Sequence, residues 1–407
     1  MSSSMATTST SIPPWLARSL QNELRFVSKT VCPALSKREH DRVKARSSTD
    51  PPPTSFLARG RDALLGKVDP VIHYSTSIGR HPDNHGANRY SDIEPYDRTR
   101  VIVGDLKSSH CSVGAEGING RYFNASWVRD LYGGKLWIAT QAPLPRTAHV
   151  FLSAIAQPIS APPTSLNSPR MHSPSRVRTI VQLTQNVERG RQKAHIYFPS
   201  TPGGSMQSNP DPTSDAPALK VTLLESKRVN EACCVQSKVS IIPVTSTNPQ
   251  DAVVFTHLLY TAWPDHGVPE DEDQASLLAF VRLVHRVNKD TSSLPPSTNT
   301  DPDPPIMVNC SAGIGRTGSF IAISSLLRAY HLLSDTPSLN PLAPPPAPIS
   351  LLPSSPLGPL PKELQEDLIA QEIDSLREQR PGMVQRDEQI HLIYEILNQA
   401  FEMRGAA

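Results

Sequence analysis

Two spacings of apolar residues alternate along this chain. Short runs rich in β-branched and aromatic residues at 101–103, 137–140, 179–183, 220–224, 253–260 and 306–309 predict strands. Longer runs at 275–287, 318–332, 364–377 and 387–403 predict helices. In the last of these, Ile390, Ile393, Tyr394 and Leu397 recur at i, i+3, i+4 and i+7, with Gly405 following as a stop signal. Looser helical spacing over 15–31 (Trp15, Leu16, Leu20, Leu24, Phe26, Val27) precedes a charged stretch at 37–46. It predicts a helix packed on the main domain. Arg18, Arg25 and few acids also permit reading it as a mitochondrial transit peptide, against which Glu23 and the pair Pro13-Pro14 speak. Strands and helices interleaved in this way predict an α/β domain.

Proline breaks the pattern. The chain has 41 prolines in 407 residues, about twice the average share. They cluster with Ser, Thr and Asn at 157–176, 199–217, 288–305 and 334–362, where too little apolar surface is available to offset ordering entropy. These four stretches are read as flexible surface insertions in one domain spanning 15–405, after a disordered tail over 1–14 that lacks the apolar core of a secretory signal. An insertion docking a partner as a polyproline helix is the alternative; no clean P-x-x-P repeat supports it.

Charge and cysteine usage narrow the function. A net charge of +2 gives no electrostatic reason to expect nucleic acid or an anionic membrane, and no apolar run is long enough to span a bilayer. Five cysteines, Cys32, Cys111, Cys233, Cys234 and Cys310, lack metal-ligand spacing and fit a reducing compartment. The expectation is a cytoplasmic monomer without metal or cofactor.

The most informative stretch is Val308-Asn309-Cys310-Ser311-Ala312-Gly313-Ile314-Gly315-Arg316-Thr317-Gly318. Cys310 and Arg316 bracket a loop of small residues between a predicted strand and a predicted helix. Such a loop presents backbone N–H groups and a helix N-terminus to an anion. A thiol placed there is driven toward thiolate, and the Arg316 fork can clamp two phosphate oxygens. Gly313, Gly315 and Gly318 also satisfy the dinucleotide pattern G-x-G-x-x-G, but they fall late in the chain, and that pattern requires neither a cysteine nor an arginine. No G-x-x-x-x-G-K-[ST] is present. Phosphate held against a thiolate is the reading these residues favour.

This loop resembles the signature of the cysteine-dependent protein-tyrosine phosphatases. The same family is matched by Thr261-Ala262-Trp263-Pro264-Asp265-His266-Gly267-Val268-Pro269 (its mobile acid loop), by Arg380-Pro381-Gly382-Met383-Val384-Gln385 with Gln389 (its glutamine loop), and by Asn88-Arg89-Tyr90-Ser91-Asp92 (its phosphotyrosine loop). Asn124-Ala125-Ser126 and the segment from Ala139 to Pro145 also fit, and the resemblance runs from about 75 to 400. It implies a single catalytic domain with a central, strongly twisted mixed β-sheet flanked by helices, of the tyrosine-specific, non-receptor, fungal-like type.

The resemblance also implies roles. Cys310 is the nucleophile that forms a phosphocysteine. Asp265 is the general acid and then the base, with neighbouring His266 a rival on chemistry alone. Arg316, with Ser311, Ala312, Gly313, Ile314 and Gly315, binds the phosphoryl group. Thr317 bonds the sulfur as the intermediate breaks down, Gln389 orients the water, and Gln385 contacts the phosphoryl group. Tyr90 stacks on the substrate ring and deepens the pocket beyond the reach of phosphoserine, while Asp92 holds the substrate backbone. Trp263 anchors a closing loop. Glu188 is expected to brace Arg316 and Lys193 to pair with Asp265, against the alternative of a solvated charged hairpin.

One residue departs from the family pattern. Histidine normally precedes the nucleophile, and here Asn309 stands in its place. Asparagine can donate a hydrogen bond but carries no charge, so slower turnover is expected. The substrates implied are tyrosine-phosphorylated proteins, a signalling kinase among them. A binding-only relative that captures phosphotyrosine without hydrolysing it is the second reading. Oxidation of Cys310, closed by the Ser311 nitrogen as a sulfenamide, is a regulatory expectation.

Overall fold

A computed structural model describes residues 12–47, 69–104, 120–159, 175–212, 214–264, 267–292, 301–333, 348 and 355–405. Its centre is an eight-stranded mixed sheet. The strands are β1 (Ala125–Arg129), β2 (Leu136–Gln141), β3 (Thr179–Gln182), β6 (Ser205–Ser208), β7 (Leu219–Val229), β8 (Cys234–Pro243), β9 (Val253–Tyr260) and β10 (Ile306–Cys310), in the order β1-β2-β10-β3-β9-β8-β7-β6. Neighbours from β2 through β10 and β3 to β9 run parallel, and both flanks are antiparallel. A separate hairpin pairs β4 (Val187–Glu188) with β5 (Arg191–Gln192).

Parallel strands must be covered on both faces, so they read as continuous apolar runs. β10 obeys this, with all five residues buried. Its side chains alternate between two cores: Ile306, Val308 and Cys310 join one cluster and Met307 the other. The longer helices among the described residues are α1 (Pro14–Phe26), α2 (Cys32–Ser47), α3 (Ala148–Ala156), α4 (Asp271–Lys289), α5 (Gly315–Ala329), α6 (Leu368–Gln379) and α7 (Asp387–Gly405). Phe151, Leu152 and Ile155 of α3 pack in the cluster that holds Met307. Buried residues of α4, α5, α6 and α7 fill the other. A π-helical turn over Val27–Val31 joins α1 to α2.

Several expectations need correction. Residues 101–103 form no strand: Arg100 and Val103 make isolated bridges to Ser126 and Arg121, and the two valines are buried without a ladder. The helix expected over 318–332 starts at Gly315 and stops at Ala329. The one expected from 364 starts at Leu368, because Asp367 caps it by accepting the Ala370 N–H at 2.9 Å. Gly405 is the last residue of α7. The stretch 199–217 contains β6, an edge strand bonded to β7, and Asp303, in the stretch 288–305, ion-pairs with Lys135 (2.6 Å) and Arg328 (2.7 Å). Most of the other Pro-rich stretches and residues 1–11 lie outside the described residues. Among the described residues, no helix is long and apolar enough to cross a membrane.

Candidate active site

β10 delivers Cys310 to the carboxyl end of the parallel strands, where open α/β sheets bind ligands. Cys310 is 6% exposed and lines a cleft of about 300 Å³. Five residues later α5 begins. Its N-cap, Ile314, offers no side-chain hydrogen bond, so the first-turn N–H groups and the positive helix end face the loop without a capping side chain.

The loop between them is held from outside by its carbonyls. Arg380, fully buried, donates from Nε to Gly313 O (2.8 Å) and from Nη2 to Ala312 O (3.1 Å), and also bonds Asn124 Oδ1 (2.9 Å) and Ser126 Oγ (3.2 Å). The Ala142 N–H reaches Cys310 O and Ser311 O at 3.0 Å each, and the Val384 N–H reaches Ile314 O at 3.2 Å. A trans peptide sets its N–H opposite its C=O, so carbonyls anchored outside turn the following amides away from those donors. Burial pulls the Arg380 guanidinium down to about 10, and it stays cationic at neutral pH. Gly313 has φ +73° and a Cβ there would lie 2.1 Å from Thr140 O. No other residue fits.

Arg316 stands in the first turn of α5, and Glu188 of the β4–β5 hairpin grips it. Nη1 donates to Oε1 at 2.7 Å and Nη2 to Oε2 at 2.9 Å. The guanidinium also bonds Leu183 O (3.0 Å) and Pro264 O (2.8 Å). Glu188 itself accepts from Thr184 Oγ1 (2.7 Å) and the Gln185 N–H (3.0 Å) and is buried. Lys193 lines the cleft, and its carbonyl accepts from Ser311 Oγ at 2.8 Å. Asp265, its expected partner, and His266 lie outside the described residues. The flanks of that segment are tied by Trp263, which is buried and donates from Nε1 to Gly267 O at 3.3 Å.

Tyr90 stands at the rim, its hydroxyl 2.8 Å from Ser311 Oγ. Arg89 fixes this loop by donating to Ala142 O (3.1 Å), Pro143 O (2.9 Å) and His195 Nδ1 (2.9 Å). Asp92, Ala312, Ile314, Gly315 and Gln385 also line the cleft, Gln385 from an exposed position. Gln389 is buried against Gly315, whose missing Cβ leaves the room, and its Oε1 accepts the Arg386 N–H at 3.2 Å. Thr317 and Asn309 sit behind the wall, both 0% exposed; Thr317 Oγ1 and Asn309 Oδ1 have no hydrogen-bond partner among the described residues. Asn309 Nδ2 lies 3.4 Å from Cys310 O.

The cleft thus gathers residues from five separated segments. Sequence reasoning gave no role to Arg380, although it heads one of the matching motifs, or to the carbonyls of Leu183 and Pro264, whose contribution leaves no side-chain signal. Among the described residues, no group of three or more His, Cys, Asp or Glu side chains could hold a metal ion.

Comparison with known proteins bears on this cleft. A family model described as protein-tyrosine phosphatase matches residues 84–339. Tyrosine-protein phosphatase non-receptor type 14 of Homo sapiens is 32% identical over 253 residues, 62% of this chain and 18% of the relative. Receptor-type tyrosine-protein phosphatase eta of Gallus gallus is 30% identical over 261 residues, 64% of this chain and 15% of the relative. Receptor-type tyrosine-protein phosphatase H of Homo sapiens is 32% identical over 275 residues, 66% of this chain and 20% of the relative. The chain spans a fifth or less of the length of these curated relatives. They are animal proteins of both receptor and non-receptor type, and do not select the fungal-like, non-receptor subtype.

Proposed function

Because the chain belongs to the protein-tyrosine phosphatase family, we propose that it hydrolyses phosphotyrosine in proteins through a phosphocysteine intermediate. The observation that carries this reading is Cys310 in a cleft whose loop carbonyls are all anchored outside, with the Arg316 fork fixed beside it by Glu188. That arrangement suits a tetrahedral dianion and places a sulfur beside it.

In the reaction, Cys310 Sγ attacks phosphorus in line as the bond to the tyrosine oxygen breaks, and that oxygen leaves with a proton from Asp265. Water then attacks phosphorus, giving its proton to Asp265, and the P–S bond breaks to return the sulfur and release phosphate. Arg316 and the loop amides hold the equatorial oxygens, where charge redistributes in each transition state. Gln389, with Gln385 beside it, positions the water. Thr317 supports the departing sulfur from within α5. Tyr90 at the rim would stack on the ring of a phosphotyrosine whose phosphoryl group reaches the enclosed Cys310 (6% exposed), a reach that a phosphoserine lacks. Asp92 would take the substrate backbone.

The substrates are tyrosine-phosphorylated signalling proteins, a kinase among them, met in the cytoplasm by a monomer. A nucleophilic thiol requires a reducing compartment, and among the described residues Cys32, Cys233, Cys234 and Cys310 are free. A second reading, a binder that does not turn over, is favoured only by Asn309, whose Oδ1 has no hydrogen-bond partner among the described residues. Acid quenching after milliseconds with a ³²P-phosphotyrosine peptide separates the two. Label on Cys310 of the wild type and none on Cys310→Ser supports the hydrolase; bound but never transferred label supports the binder.

A further inference from the structure

The N-terminal helical pair packs on the core through Leu16, Val27, Val31 and Leu35, and α2 adds charged contacts to α6. The buried positions of α2 are Cys32, Leu35, Arg38 and Arg42. Arg38 forks onto Asp374 of α6 (2.9 and 2.8 Å). Arg42, at 0% exposure, reaches Asp374 (2.6 Å) and Glu378 (2.7 Å). Arg42 Nη1 also faces Glu39 Oε2 at 3.5 Å, and breaking one partner out of such a buried charge cluster costs about 3–5 kcal/mol, which ties α2 to α6.

From these two helices, two side chains hold three consecutive residues of the glutamine loop. Glu39 Oε1 accepts the Gly382 N–H at 3.1 Å. Arg377 donates to Met383 O (2.8 Å) and Val384 O (2.6 Å), and with its third nitrogen to Leu35 O of α2 (2.9 Å). The turn needs holding. Val384 has φ +54°, a left-handed conformation that a β-branched residue adopts only when its surroundings impose it. Its N–H bonds Ile314 O at 3.2 Å, and it sits so close to Gly318 that a Cβ there would lie 2.4 Å from the Val384 nitrogen. One residue on, Gln385 enters the cleft.

We propose that Glu39 is a positioning residue for the glutamine loop, holding the Gly382–Val384 turn so that Gln385 and Gln389 can direct water at the phosphocysteine. This rests on the hydrolase reading above. Cys310 and Arg316 are placed by β10, α5 and the Glu188 fork, and of the bonds that anchor their loop one, from the Val384 N–H to Ile314 O, comes from the turn. Loss of Glu39 therefore slows breakdown of the intermediate and leaves its formation intact, a split that a merely structural role would not produce.

The test uses the full chain with p-nitrophenyl phosphate in stopped flow, comparing wild type, Glu39→Asp, Glu39→Gln and Cys310→Ser. Aspartate keeps the charge facing Arg42 but is one methylene too short for Gly382; glutamine keeps an acceptor oxygen at full reach. Glu39→Asp is expected to keep its burst rate, raise the burst amplitude and lose about tenfold in the steady state, within the ~10²-fold that small misplacements cost. Glu39→Gln is expected to restore the steady-state rate. An unchanged steady state in Glu39→Asp, or equal loss in burst and steady state, overturns the proposal. Hydrogen exchange across 380–386 reads the hold without activity: faster exchange in Glu39→Asp is expected, and unchanged exchange overturns it. A wild type no faster than Cys310→Ser would sink the parent reading instead, leaving exchange to decide whether Glu39 holds the turn.

Discussion

Glu188 and Arg316, 128 residues apart, meet as a two-bond fork at 2.7 and 2.9 Å with both side chains nearly enclosed. The pair presents the guanidinium in one plane to the cleft. Removing one partner of such a pair costs about 3–5 kcal/mol, and Glu188→Ala also frees Thr184 and the Gln185 N–H. Glu188→Ala should lower kcat/KM by ~10²-fold, on the scale of misplacing a phosphate clamp, and lower the melting temperature. Steady-state kinetics and a thermal melt check both.

Gly313 and Gly203 both have positive φ, +73° and +82°, but only Gly313 has backbone in the path of a Cβ. Both alanine variants incur the left-handed strain of about 1–2 kcal/mol. Gly313→Ala must also displace Thr140 or the loop itself. It should lose activity by ~10²-fold or more, while Gly203→Ala keeps normal kcat and KM. Parallel assays of the two variants decide this.

Arg380 shapes the loop through carbonyls, so its charge alone is not enough. Arg380→Lys keeps a cation but cannot place donors on Gly313 O, Ala312 O, Asn124 and Ser126 together. We expect kcat to fall at least ~10-fold with a folded chain by circular dichroism.

How much of this was legible depends on how local each feature is. Cys310, Arg316 and the glycines between them are contiguous, so strand, loop and helix start could be read together. β9 is rich in β-branched and aromatic residues along its length and was predicted over the residues it occupies. Glu188 was ambiguous because a charged hairpin looks alike whether solvated or clamped on an arginine 128 residues away. α2 escaped because its buried face carries Arg38 and Arg42 where a periodicity search looks for leucine. β6, Ser-Met-Gln-Ser, has little strand propensity, and only its pairing with β7 makes it a strand.

Acid should destabilise the fold through histidines buried in their neutral form. Burial lowers His257 from 6.5 to about 3, and burial, assisted by Arg328, lowers His285 to about 4. The unfolded chain binds these protons near pH 6.5 and the folded chain does not. Stability is therefore fully present above 6.5 and falls as pH drops toward 4, by up to about 1.4 kcal/mol per pH unit for each histidine. Urea unfolding between pH 7.5 and 4.5 should give a shallower fall for His257→Phe than for wild type.

The most direct measurement is phosphate release from a phosphotyrosine peptide by the full chain, with Cys310→Ser as blank. Many phosphates released per wild-type molecule, none by the variant, and no release from the matching phosphoserine peptide is the predicted result. Wild type indistinguishable from Cys310→Ser would contradict it.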